Sequence, residues 1–265
     1  MSAAVPHRSL FVPLVTGLVV VAWIALWAWS TGPYQRYLAH GDWFALGPAA
    51  FLCRAVPGGD VLVPAVIHTL GWVLMTVAMM LPTTLPLLNQ FERMTASRAE
   101  GPWLLTLTIT GYLGVWTLFG LGAHGLDWLV HQAFERVPSL AVNGWIAGAS
   151  VIATAGLFQF SALKYRCLEQ CRTPLSFIMS HWRGKAPRRE ALLLGAHHGA
   201  FCVGCCWALM LLMFVVGTAS IGWMLALGAV MAIEKNMPWG KRLSAPLGVG
   251  LLGIAALAAA VNVMQ

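Results

Sequence analysis

The sequence predicts an all-α fold, a polytopic transmembrane bundle of about seven helices with its N-terminus inside and its C-terminus outside. Three observations carry this expectation. Of 265 residues, 59% are hydrophobic and only 9% charged, and the mean hydropathy of +0.75 lies far outside the range of water-soluble domains. Apolar runs long enough to cross about 30 Å of hydrocarbon recur along the whole chain. The basic residues fall almost entirely in alternate connections between those runs.

The first run, Leu10 to Trp29, is uninterrupted and is followed by no small-residue cleavage site, so it reads as a retained helix rather than a secretory signal. Pro64 to Leu88 forms the second, with Pro82 placed to kink it. Pro102 to Ala123 is the third, continuing into a stretch where His124, Asp127 and His131 share a face. Leu140 to Leu163 is the fourth, and Pro174 limits its extension. Ala191 to Gly217 is the fifth. Ala219 to Ile233, the sixth, is short and follows a tight Gly217-Thr-Ala-Ser220 turn, so a hairpin that does not cross separately is the alternative. Ser244 to Val263 is the seventh. The longest intervening stretches, Ser30 to Val63 and Lys164 to Glu190, are too short to bury a core of their own. Residues 1–265 therefore read as one integral membrane domain, without internal repeats.

With the N-terminus inside, thirteen of the sixteen Lys and Arg residues gather on one side and only Arg36, Arg54 and Arg136 on the other. That asymmetry predicts an N-in, C-out topology whose Lys164 to Arg189 connection faces the cytoplasm. It also accounts for the net charge of +7 without nucleic acid as a partner, since basic loops lie against anionic lipid heads.

The chemistry concentrates in Gly195-Ala-His-His-Gly-Ala-Phe-Cys-Val-Gly-Cys-Cys-Trp207. At about 100° per residue, His198, Cys202, Cys205 and Cys206 fall on one helical stripe, which Met213 extends. Thiolates and imidazole are ligands for soft transition metals, and a bound cation offsets the cost of placing them in low dielectric. A single buried cysteine is ordinarily a packing residue, but three with a histidine on one stripe point to metal or redox chemistry. His197 points off the stripe. Cys167 and Cys171, spaced i, i+4, share a face near the inner end of the fourth helix, and a reducing cytoplasm disfavours a disulfide between them. The stretch from Cys171 to Cys202 corresponds to a separation of about 15 Å along the membrane normal, which predicts a separate donor or acceptor station. In the second helix His68, Trp72, Met75 and Met79 line one face, with Met80 beside them; thioethers suit Cu(I) but also fill cores. Cys53 stands alone in a loop. Glu234, at a helix end, is expected to pair with a basic neighbour. No phosphate-binding loop, nucleophile elbow or zincin pattern is present.

Trp72 to Pro82, Gly111-Tyr-Leu-Gly-Val-Trp116, the Lys-Tyr-Arg-Cys-Leu-Glu-Gln-Cys-Arg core between Gln159 and Pro174, and His198 through Met210, with Glu234 and Lys235, resemble a bacterial family of uncharacterised integral membrane proteins described as predicted metal-binding. The resemblance implies metal binding without an established reaction. The reading that results is a membrane protein holding a soft transition metal ion, Cu(I), for trafficking, homeostasis or delivery. Cys202, Cys205 and Cys206 are its expected primary ligands, His198 with Met75 or Met79 completes the set, and Cys167 with Cys171 serve exchange. A metallochaperone or a membrane metalloprotein is the expected partner. Two alternatives remain open, a membrane thiol-disulfide oxidoreductase and a structural subunit of a membrane complex.

Overall fold

The computed structural model describes residues 11–31, 59–136, 145–216 and 220–263, in which every regular element is helical. Ten α-helices are present among these residues: α1 (Phe11–Thr31), α2 (Gly59–Met79), α3 (Leu85–Thr95), α4 (Gly101–Arg136), α5 (Trp145–Phe158), α6 (Ala162–Arg172), α7 (Pro174–His181), α8 (Pro187–Val216), α9 (Ile221–Asn236) and α10 (Ser244–Val263). Cys53, Arg8, Arg36, Arg54, the side chain of His131 and residues 217–219 of the expected turn lie outside what is described.

Four stretches, Pro13–Thr31, Gly101–Val130, Pro187–Val215 and Gly240–Asn262, are long and apolar enough to cross a membrane. Two bent pairs, Ala65–Met79 with Pro82–Thr95 at 45° and Trp145–Phe158 with Ala162–Arg172 at 63°, raise the number to six if each is one span. The bend expected at Pro82 is present, and the fourth run, expected as a single helix, also breaks, each for local reasons. Pro82 has no N–H to continue the ladder, so Met80 and Leu81 both donate to the Thr76 carbonyl at 2.8 and 3.1 Å. A 3₁₀ turn, Pro82–Thr84, follows, with the Thr83 and Thr84 hydroxyls donating to the Met80 and Leu81 carbonyls at 2.7 Å each. In the fourth run, Gln159, Phe160 and Ser161 make i→i−3 bonds, and Ser161 then caps α6 by accepting from the Lys164 amide at 3.1 Å.

The expected basic loop from Lys164 to Arg189 is largely helical instead, comprising α6 and α7 and the start of α8. Pro174 sits in the first turn of α7, and Gly184, at φ +72°, turns the chain into α8. The Glu190 carboxylate closes that turn by accepting the backbone N–H groups of Arg183, Gly184, Lys185 and Ala186.

The most extensive helix pair is α4 against α8, an approach that small residues permit. Gly111 faces the Leu192 carbonyl, and Gly195 faces the Thr108 carbonyl, each so closely that no Cβ fits. The Thr108 hydroxyl bridges the pair, donating to Leu104 within α4 and to Ala191 of α8 at 3.0 and 3.2 Å. Helices α2, α5 and α6 pack around this pair, α10 packs on α5, and α1 packs on α2, where the Trp23 indole donates to the Ala78 carbonyl at 3.2 Å. The interior holds Trp116, Phe91 and Leu104 together with seven buried methionines: Met75, Met79, Met80, Met210, Met213, Met224 and Met231. The rim exposes Leu14, Ile24, Leu118 and Leu257, an apolar exterior suited to lipid.

Replacing Gly195 with Val is expected to cost about 3 kcal/mol or to abolish recovery of folded protein, because the opposing atoms are backbone and have no rotamer to change. Gly114→Ala on α4, where a Cβ meets open space, is expected to leave stability unchanged or slightly raised. Thermal unfolding in detergent, read against the parent, distinguishes the two.

Candidate metal centre

Helix α8 carries His198, Cys202, Cys205 and Cys206 into the middle of the bundle, where all four are buried. The helical period puts them on one side, and α2, α4, α6 and α9 supply what surrounds them. The Cys205 and Cys206 thiols donate back to the Cys202 carbonyl at 3.1 and 2.8 Å. The Cys202 sulfur faces outward from α8 and meets the Tyr112 hydroxyl of α4 at 3.0 Å. Met80, just past α2, brings its sulfur to 3.9 Å from that of Cys206. The His198 ring lies tilted beside Tyr112 and edge-on to Phe177, and its buried Nδ1 has no hydrogen-bond partner among the described residues.

A cation already stands among these sulfurs. Lys235 of α9 is 5% exposed and donates to Cys202 Sγ at 2.9 Å and to Thr83 Oγ1 at 3.3 Å. The Met80 and Cys206 sulfurs lie 3.8 Å from the same ammonium. Burying an unpaired ammonium is costly, so this geometry makes sense where sulfur carries compensating negative charge.

The CxxxC pair is not remote. The 63° bend between α5 and α6 lays α6 against α8 and closes the separation of about 15 Å expected for straight helices. Cys171 comes within interaction range of Cys202 and Cys205, and the Cys167 sulfur lies over Gly204, 2.6 Å from where a Cβ would stand. Any larger residue at 204 would push Cys167 away. All five cysteines in the described residues are free thiols. Met75 and Met79 are buried on α2, and Met79 packs over Gly228 of α9; the methionine at the thiols is Met80. Met213 is fully buried further along α8. Among the described residues no three His, Cys, Asp or Glu side chains converge as a ready-made coordination shell.

Glu234 does not pair with its neighbour Lys235. Successive helical residues point about 100° apart, so Glu234 leaves α9 on another side. Its carboxylate accepts from Lys164 at 2.6 Å and from the Ser244 hydroxyl at 2.6 Å. The same ammonium also donates to Gln159 Oε1, and Arg172 donates to the Glu234 carbonyl. Lys164 is completely buried, which removes it from the basic surface predicted for its connection. This network ties α5, α6, α9 and α10 together beside the thiols.

Sequence patterning located the α8 stripe but missed Tyr112, Met80 as the nearest thioether, and Lys235. A lysine ending an otherwise apolar helix was the available signal for the last.

Lys164→Met is expected to destabilise the protein by about 3–5 kcal/mol, because it strands Glu234 in the interior. Combining it with Glu234→Leu is expected to recover much of the loss. Thermal unfolding of the two single variants and the double variant measures the coupling.

Residues 69–258 match a protein family, PpoB2, described as copper chaperones. Comparison with curated proteins and with solved structures gives no match. The matched segment runs from within α2 to within α10 and contains Cys167, Cys171, Cys202, Cys205, Cys206, Met80, Tyr112 and Lys235. The chain therefore belongs to the PpoB2 copper chaperone family.

Proposed function

We propose that the chain carries Cu(I) as cargo in the thiol cluster of α8 and delivers it to another copper protein. The observation that carries the reading is the Lys235 ammonium seated against Cys202, with Cys206 and Met80 beside it. Cu(I) held by two thiolates bears a net negative charge, and an adjacent ammonium brings the assembly to neutrality, which a low-dielectric interior requires. Cys202 and Cys206 supply the thiolates after the latter turns from its helix carbonyl. Cys205, His198 and Met80 complete the donor set, with Met75 and Met79 further along the same face of α2. Cys167 and Cys171 form the exchange station. The approach of Cys171 to Cys202 and Cys205 supports ligand-by-ligand transfer between the two groups of thiols, without release of the ion.

The remaining parts of this reading concern placement. The protein sits in a bacterial inner membrane with seven crossings, N-terminus inside and C-terminus outside, and hands copper to a metallochaperone or a membrane metalloprotein. The segregation of thirteen of sixteen basic residues supports it. Two of the thirteen, Lys164 and Lys235, are buried, so the surface asymmetry rests on the other eleven.

In competition titration with a Cu(I) chelator, Cys202→Ser combined with Cys205→Ser is expected to abolish high-affinity binding while leaving insertion intact, since Ser approximates the size of Cys but ligates soft ions poorly. Cys53→Ser is expected to change nothing, and Met213→Leu to weaken binding modestly. Unchanged affinity in the double variant, or no stoichiometric copper in the parent, overturns the site. Thiols that resist alkylation until reduced would instead identify a redox protein.

Lys235→Met is expected to weaken Cu(I) binding by about 10–100-fold, the usual effect of removing a partner of a metal ligand, with every sulfur retained. The same titration reads it. A C-terminal reporter fusion active on the outer face is expected from the topology, and a cytoplasmic C-terminus removes one crossing.

A further inference from the structure

Two imidazoles meet midway along α2, three turns before Met79. His68 is buried, and its ring stacks on that of His124 from α4, with centroids 4.3 Å apart and planes 22° from parallel. Phe214 of α8 closes one side at 5.9 Å, and Trp72 lies 6.2 Å along α2. Asp127 follows His124 by three residues, on the same side of α4.

We propose that His68 and His124 form a second Cu(I) station, from which buried thioethers lead inward to the thiol cluster. The inference rests on the copper reading above. Histidine χ2 is a broad torsion, so a modest turn of either ring aims a nitrogen from each helix at one ion. Imidazole is a good Cu(I) ligand; two neutral rings leave the ion its single positive charge, and Asp127, on the same side of α4, is a carboxylate able to offset it.

The route inward is visible in the core. Met75 and Met79 follow His68 by seven and eleven residues on the same face of α2, and both are buried. Met79 packs over Gly228, and Met224 and Met231 lie one turn to either side of that glycine on α9, both fully buried. Met80 ends the line with its sulfur 3.9 Å from Cys206. From His68 to Met80 the axial distance is about 18 Å, at 1.5 Å per residue. Thioethers suit a station of passage, being soft, uncharged and flexible. The two ends differ in kind: Cu(I) on the imidazole pair keeps a net positive charge, whereas on two thiolates beside Lys235 it is neutralised and held more tightly. Copper entering at the histidines thus moves toward the sulfur end.

The test is Cu(I) titration of the full-length protein in detergent under anaerobic conditions, with stoichiometry from elemental analysis and ligand type from X-ray absorption. Three samples are compared: the parent, the Cys202→Ser, Cys205→Ser, Cys206→Ser variant, and His68→Phe with His124→Phe, which keeps the ring stack. The expected results are a second, weaker Cu(I) in the parent, nitrogen-dominated ligation in the cysteine variant, and loss of only the weaker ion in the phenylalanine variant. If the cysteine variant binds nothing while the parent binds copper through sulfur, or if the phenylalanine variant keeps both ions, the imidazole station is overturned and the thiol site stands. If affinity and stoichiometry survive loss of the cysteines but not of the histidines, the thiol site is overturned and this one stands. A parent that binds no copper overturns both. Should the cysteine variant fail to fold, the phenylalanine variant decides alone.

Discussion

The close approach of α4 and α8 at Gly111 and Gly195 is the constraint on which the rest depends. With backbone against backbone, the Tyr112 hydroxyl reaches Cys202, and the aromatic layer of Trp72, Trp116 and Phe119 seals the interior above. Moving the two helices apart by the width of one side chain would break the Tyr112 contact and loosen the bridge from Thr108 to Ala191. Packing at small residues and a few interhelical hydrogen bonds hold the pair, the kind of contact that joins helices where lipid would supply no hydrophobic drive.

Around that axis the protein buries two ammonium groups and treats them differently. Lys164 faces a full carboxylate, an amide and, through Glu234, the Ser244 hydroxyl, a set that balances its charge and leaves little for a ligand to do. Lys235 faces sulfur and a single hydroxyl. The first arrangement joins four helices; the second gives a soft-donor cluster its own counter-charge. Because Glu234 and Lys235 are adjacent in sequence, α9 links the two. A shift of α9 that moved the ion pair would also move the ammonium at the thiols.

The backbone breaks have a matching role. Had α5 continued straight through Gln159 to Ser161, Cys167 and Cys171 would lie far from α8; the turn folds them onto it. Had α2 continued through Pro82, neither Met80 nor Thr83 would face Lys235. Both breaks free backbone groups, and hydroxyls of Ser161, Thr83 and Thr84 satisfy some of them.

Much of this was legible before any coordinates. The apolar runs and scarce charge indicate a helical chain suited to membranes, and the spacing of His198, Cys202, Cys205 and Cys206 defines a single stripe. These are local properties, set by the helical repeat and by residue type. The 63° turn, the partnership of Lys164 with Glu234 across 70 residues, the ammonium of Lys235 at Cys202, and the pairing of His68 with His124 were not legible. Each depends on how distant helices rotate and approach, and that is settled by shape at glycines and breaks. Sequence alone therefore determined which donors share a helix. Tertiary structure decided which helices share a donor set, because proximity across helices has no period that a single chain can display.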